Sequence, residues 1–347
     1  MLLLRRRKIR GQNRSPVKRS DQGEPIMKRR TFLRKAGALS ASCMGAGLAR
    51  EEFEEDNAAL PFPIVDTHVH FWDTARLRYP WLENSALLNR PYLPQDFDKA
   101  VGPVKVGKIV FVEAACADDQ TQAEVDWVTT LAKSEARIQG IVANVPLEQG
   151  EAVLPRLEAL AANPLVKGIR RFFSTQKEAP HGLLPALTKG VQCLERVGLR
   201  FDLGLQRGQI PVATELARQC PNVQFMLNHI GVPDIKNNDL ESWRQEIRAL
   251  AEHPNVFCKM SGAATLADYE SWTPEDLKPA LEHVIDCFGF ERAAFGSDWP
   301  VMLLATDYPR WVAAAAWAVQ GCSEAEKRRL FHDTAVDFYG LPSAPNA

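Results

Sequence analysis

The sequence predicts an α/β fold: a single (β/α)8 barrel behind a disordered N-terminal targeting segment. Three observations carry this expectation. After Pro61, eight short β-rich runs alternate with longer amphipathic stretches, the pattern of parallel strands joined by helical crossovers. Those eight units fill about 280 residues, the ordinary size of a closed barrel. The first run ends in His68-Val69-His70, where an open doubly wound sheet would favour a Gly-rich phosphate turn.

The strands are expected at 63–67, 108–113, 138–144, 166–170, 199–205, 223–229, 256–261 and 293–296. Amphipathic stretches at 121–134, 150–162, 211–219, 240–253 and 274–288 separate most of them, and a closing helix is expected at 323–339. The barrel domain is placed at residues 62–341, with 50–61 as an acidic linker. No internal repeat or low-complexity tract interrupts this array.

The N-terminal segment differs in composition. Residues 1–50 hold fourteen Lys/Arg against two Asp/Glu, a balance of +12, whereas the remaining 297 residues hold twenty-eight against forty-one, a balance of -13. A basic tail on an acidic body argues against non-specific nucleic-acid binding by the body. Lys28-Arg29-Arg30-Thr31-Phe32-Leu33-Arg34-Lys35 precedes a short apolar stretch from Ala36 to Leu48. A charged region, a weak apolar region and small residues at Gly47-Leu48-Ala49 make a signal peptide. The paired arginines resemble a twin-arginine export signal over residues 27–49, which implies a periplasmic or extracytoplasmic location. Residues 1–26 are a basic extension that adds charge and no pattern, and Met27 is an alternative start. Cys43 is a poor lipid-attachment site, because Ser40 stands where such a motif wants Leu. No apolar run is long enough for a transmembrane helix. The seven cysteines are widely spaced without a CxxC pair, which argues against a zinc ribbon or a disulfide scaffold.

Reactive groups in such a barrel stand at the C-terminal ends of the strands. His68 and His70 are two residues apart on the first strand and so face the same way; imidazoles converging there suit zinc-like metals. Asp298 follows the eighth strand in Gly296-Ser297-Asp298-Trp299-Pro300. Barrel closure makes the first and eighth strands neighbours and brings Asp298 to the histidines, where a carboxylate can hold a metal or take a proton from water. The sixth strand ends in Asn228-His229-Ile230-Gly231, and His229 can polarise a carbonyl or shuttle a proton. Glu113, Arg170 and Lys259 end the second, fourth and seventh strands. The two cations suit oxygen-rich or anionic substrates; each of the three equally suits a structural ion pair. Trp72, Trp81 and Trp299 are candidates to line the pocket or to pack loops. His181, His253, His283 and His332 stand in helical or loop contexts and are not expected in catalysis.

The His-Val-His pair, Asn228-His229-Ile230-Gly231 and Gly296-Ser297-Asp298-Trp299-Pro300 resemble the amidohydrolase superfamily, over roughly residues 62–341. Val65 to Asp73 followed by Arg78-Tyr79-Pro80-Trp81-Leu82 is similar to the opening of its lactonase branch, which holds L-fuconolactonase- and L-rhamnonolactonase-like proteins. The resemblance implies a metal-dependent barrel hydrolase that opens a sugar lactone or similar cyclic ester. It implies Asp298 as base, His229 at the oxyanion, Arg170, Lys259, Trp72 and Trp299 at the substrate, and His68, His70, Asp298 and Glu113 as metal ligands. Metal-rich members carry a fourth-strand Lys or Glu and a fifth-strand His. Here those positions offer Arg170, a poor ligand because it stays protonated, and Arg200-Phe201-Asp202-Leu203-Gly204 without histidine. At most one divalent, zinc-like ion is therefore expected, weakly bound or absent. The partner expected is a small molecule, anionic or sugar-derived; the oligomeric state is open. Amide hydrolysis or decarboxylation on the same residues remains an alternative, as does a non-catalytic exported sugar-binding protein.

Overall fold

The structure, a computed structural model, describes residues 60–173 and 184–342. The signal-peptide reading and His181 lie outside the described residues. Eight parallel strands run β1 Ile64–Val69, β2 Val106–Val112, β3 Ile138–Asn144, β4 Val166–Phe172, β5 Arg200–Gly204, β6 Phe225–Leu227, β7 Val256–Met260 and β8 Ala293–Phe295. They pair in sequence order, forming a nearly closed barrel. Between them lie α1 Pro94–Val101, α2 Thr121–Leu131, α3 Leu154–Ala161, α4 Leu184–Val197, α5 Ile210–Gln219, α6 Glu241–Ala251 and α7 Pro274–Phe288, and after β8 the chain closes with α8 Tyr308–Ala318, α9 Glu324–Arg328 and α10 Thr334–Tyr339.

All eight expected strands are present. β6 is shorter than the expected 223–229, because the chain turns at Asn228 into a 3-10 turn, Asn228–Gly231, with left-handed backbone at His229 and Ile230. The expected closing helix divides into α9, a π-helical turn over Arg329–Asp333, and α10. Its start is capped reciprocally: Ser323 Oγ accepts from the Glu326 N–H, and the Glu326 carboxylate accepts from the Ser323 N–H. α1, α4 and α8 fill intervals that the amphipathic stretches singled out above left open.

Strand alternation produces two apolar clusters. Ile64, Ile109, Phe111, Ile141 and Phe201 pack outward against the helices in the larger one. Val65, Val110, Val142, Met226 and Ala294 form the smaller one with Phe338 and Tyr339 of α10. That helix closes the end where the strands begin: Arg200 Nε, at the start of β5, donates to Phe338 O at 2.7 Å. The opposite end is left for chemistry.

β1 and β8 meet through irregular contacts beyond the short β8 ladder. Val69 and Trp299 form a parallel bridge, the Asp298 N–H donates to His68 O at 2.8 Å, and the His70 N–H donates to Trp299 O at 2.8 Å. Asp66 adds a clasp: its Oδ1 accepts from the backbone N–H of His68 at 3.0 Å and of Ser297 at 2.8 Å, while Oδ2 accepts from Tyr308 Oη at 2.9 Å. Closure therefore fixes the two chain segments that carry the reactive groups.

Candidate active site

β1 does not run straight into the site. Its register against β2 shifts between Asp66 and Val69, a bulge of the kind that re-aims side chains. Val69 and Phe71 then pack into the outer core, leaving His68 and His70 to face the barrel mouth together. His68 Nε2 stands 3.5 Å, and His70 Nε2 3.3 Å, from Asp298 Oδ1. His229 joins them, its ring centroid 4.5 Å from that of His68. The structure thus brings His68, His70, Asp298 and His229 to one point.

Electrostatics leave His68 and His229 neutral beside an ionised carboxylate. Burial, then the Lys259 charge, holds His68 well below the ordinary histidine value. Burial lowers His229 to about 4, against an upward pull from Asp298. Burial pushes Asp298 up, but the opposing pull of His229, His70 and Arg170 outweighs it and leaves the carboxyl below its usual value.

One donor each from His68, His70 and Asp298 lies within 4.8 Å of the others. His70 Nδ1 is 2.8 Å from Val112 O; a carbonyl only accepts, so the proton sits on Nδ1 and Nε2 presents a bare lone pair, the usual support of a metal-bound histidine. Both nitrogens of the buried His68 lack a hydrogen-bond partner, and a buried polar atom without one is costly. This donor set fits one divalent metal of zinc type with positions open to solvent or substrate.

Glu113, expected as a further ligand, is turned elsewhere. Its Oε1 is 3.3 Å from Arg170 Nη1, and its Oε2 accepts from the Ala115 N–H at 2.9 Å and Asn144 Nδ2 at 3.3 Å. Arg170 is 4% exposed and its Nε has no partner. Lys259 lies beneath the histidines with no exposure, its Nζ donating to Asp202 Oδ2 at 2.7 Å and Thr67 O at 2.9 Å. Asp202 also accepts from Asn228 Nδ2 and Tyr339 Oη. Trp72 and Trp299 are both fully buried. Trp72 packs on Tyr79, Trp81 and Tyr92 and donates from Nε1 to Arg90 O. Trp299 packs on Phe71, Phe97 and Tyr92. Of these indoles it is Trp81 that is exposed.

The protein matches the family model described as Amidohydrolase over residues 65–341. The chain belongs to the amidohydrolase family. This amidohydrolase is 30% identical over 295 residues to L-fucono-1,5-lactonase of Burkholderia multivorans, covering 82% of this chain and 98% of that one. It is 22% identical over 336 residues to L-rhamnono-gamma-lactonase of Scheffersomyces stipitis, covering 81% and 99% of the two chains. Among solved structures, an amidohydrolase from Burkholderia multivorans with bound zinc superposes with a TM-score of 0.73 at 28% identity, over 81% of this chain and 100% of that one. The relationships support a hydrolase acting on a lactone or ester.

Four residues of the amidohydrolase site went unnoticed in the sequence: Asp66, Asp202, Ser261 and Gly262. Ser261-Gly262 follows β7 as Asn228-His229-Ile230-Gly231 follows β6, with polar groups and then glycine after an apolar run, and that shared pattern was the available signal. Asp202 carried none, since a lone aspartate inside a strand equally marks a strand face turned to solvent. A cavity of about 530 Å3, lined by Arg207, Asp234, Lys236, Thr265, Asp268 and Tyr269 among others, opens between the loops that follow β5, β6 and β7. None of His68, His70, Arg170, His229 and Asp298 is among the residues that line it.

Proposed function

We propose that the protein opens the ring ester of a sugar lactone by attack of water, with Asp298 as the base. The observation that carries this reading is the convergence of His68 and His70 on Asp298 Oδ1, in a chain related to two sugar lactonases. A carboxylate held below its usual pKa is ionised at neutral pH and ready to accept a proton. Asp298 removes a proton from water as the oxygen attacks the carbonyl carbon. His229 hydrogen-bonds the oxygen on which charge develops, and Arg170, whose Nε has no hydrogen-bond partner, binds substrate oxygens. The ring C–O bond then breaks and Asp298 returns its proton to the leaving alkoxide, giving a hydroxy acid.

His68, His70 and Asp298 would hold a divalent ion, which supplies Lewis-acid polarisation of the carbonyl when bound. Lys259 supports this group from below by holding Asp202 and the carbonyl of Thr67. The twin-arginine-like stretch Lys28 to Lys35 supports export of the chain, and the sugar-lactonase relatives support a role in carbohydrate metabolism.

The test is a pH-indicator screen of the purified protein against a panel of aldonolactones, with and without chelator. Acid release from one lactone, abolished by chelator and restored by zinc, supports the reading. Silence over the panel, with hydrolysis of amides or decarboxylation of aromatic acids instead, overturns it.

A further inference from the structure

His229 is held by its neighbours on β7. Its own backbone is left-handed, φ 50° and ψ 41°, a conformation that few residues other than glycine adopt. Its ring lies so close to Gly262 that a Cβ there would come within 2.8 Å of Nδ1. Ser261 supplies the polar side of this cradle: the His229 backbone N lies 3.3 Å, and its Nδ1 3.0 Å, from the same Ser261 Oγ.

The direction of these two bonds follows from what each atom can do. The backbone N–H only donates, so Oγ accepts from it. If Nδ1 also carried a proton, Oγ would accept twice and its own O–H would have no acceptor. Ser261 has no exposure, and its hydroxyl has no further hydrogen-bond partner among the described residues. A buried hydroxyl left without an acceptor is costly. With Nδ1 bare, Oγ accepts from the backbone and donates to the ring, and every group is satisfied. The ring proton then sits on Nε2, which has no hydrogen-bond partner among the described residues.

His70 shows the opposite arrangement. Its Nδ1 meets the carbonyl of Val112 at 2.8 Å, so its proton is on Nδ1 and its bare Nε2 points to Asp298. A carbonyl holds one histidine as a ligand; a hydroxyl holds the other as a donor. His229 accordingly stands outside the group of residues whose donor atoms could share an ion.

We propose that Ser261 is a positioning residue that fixes His229 as the Nε2–H tautomer, so that His229 donates a hydrogen bond to the substrate carbonyl oxygen and does not act as a base. The donation to substrate rests on the lactonase reading; the tautomer does not, and it is measured without substrate. Full-length protein labelled with 15N-histidine, at mildly alkaline pH, reports the tautomer through long-range proton–nitrogen correlations, with the His229 signals assigned by their loss in His229→Gln. The expected result is a protonated Nε2 and a bare Nδ1 in the wild type. Ser261→Ala should mix the tautomers and lower kcat about tenfold or more, with KM changed less than about twofold; Ser261→Thr, which keeps the hydroxyl, should restore the wild-type pattern. A proton on Nδ1 in the wild type overturns the proposal even if the protein is a lactonase, as does a Ser261→Ala protein with the wild-type pattern and kcat. A correct tautomer in a protein silent on lactones leaves the Ser261 assignment standing and overturns the lactonase reading alone.

Discussion

Gly296 lies against His68 so closely that a Cβ on Gly296 would come within 2.9 Å of the His68 Cβ and 3.3 Å of Lys259 Cδ. β8 must be this bare for β1 to bring its first histidine into the site. Gly296→Ala should displace the His68 ring and crowd a packed interior, lowering stability by about 1–3 kcal/mol. Denaturant unfolding and zinc titration of the variant check this: a wild-type midpoint together with wild-type zinc affinity would mean that the contact is slack.

Asp66 joins the same two strands through hydrogen bonds to His68 N, Ser297 N and Tyr308 Oη. Asp66→Asn keeps the shape and turns one acceptor into a donor. Tyr308 Oη then accepts from the new NH2 and its own O–H loses its acceptor, so the expected loss is about 1–3 kcal/mol, together with weakened metal retention. Thermal melting and metal analysis after dialysis measure both.

The Lys259–Asp202 pair is fully buried beneath the site. Lys259→Met leaves Asp202 with its charge and with Asn228 and Tyr339 as remaining donors. Removing one partner of a buried pair typically costs about 3–5 kcal/mol. Urea unfolding should show a loss of that order, and adding Asp202→Asn should recover part of it; a Lys259→Met protein as stable as wild type would show that the pair is not a structural floor.

Glu124 gives a pH signature away from the metal-binding group. Burial, then the neighbouring Glu113, raises its carboxyl to about 8. The folded protein therefore binds this proton more tightly than the unfolded chain. The stabilisation is fully present below the ordinary carboxylate pKa and is lost as pH rises toward about 8. Glu124→Gln removes that dependence. The variant should gain on the wild type in unfolding free energy by a few kcal/mol between mildly acidic and alkaline buffer. A constant difference across that range would mean that Glu124 titrates normally.

Much of this was legible in the sequence. Alternating β-rich and amphipathic stretches located the eight strands, because buried parallel strands and their covering helices have different hydrophobic periods. Strand-end position singled out His68, His70, His229 and Asp298, because closure makes the first and last strands neighbours whatever their separation in sequence. The bulge in β1, the left-handed turn at His229 and the short β6 were not legible, since each depends on contacts across the barrel. The same holds for Glu113, Lys259, Trp72 and Trp299. Their residue types suit ligands and pocket walls, but their partners, Arg170, Asp202 and the aromatic cluster around Tyr92, are far away in sequence and meet them only in the fold.

The central claim is that Asp298 is the base of a lactone hydrolase. It is tested most directly by comparing wild type and Asp298→Asn on the best lactone of the panel, with fold checked by circular dichroism and metal content measured for both. The account predicts a folded variant whose kcat falls about 10²–10⁴-fold, beyond what its metal content explains. An Asp298→Asn protein that turns over the lactone at close to the wild-type rate would contradict it.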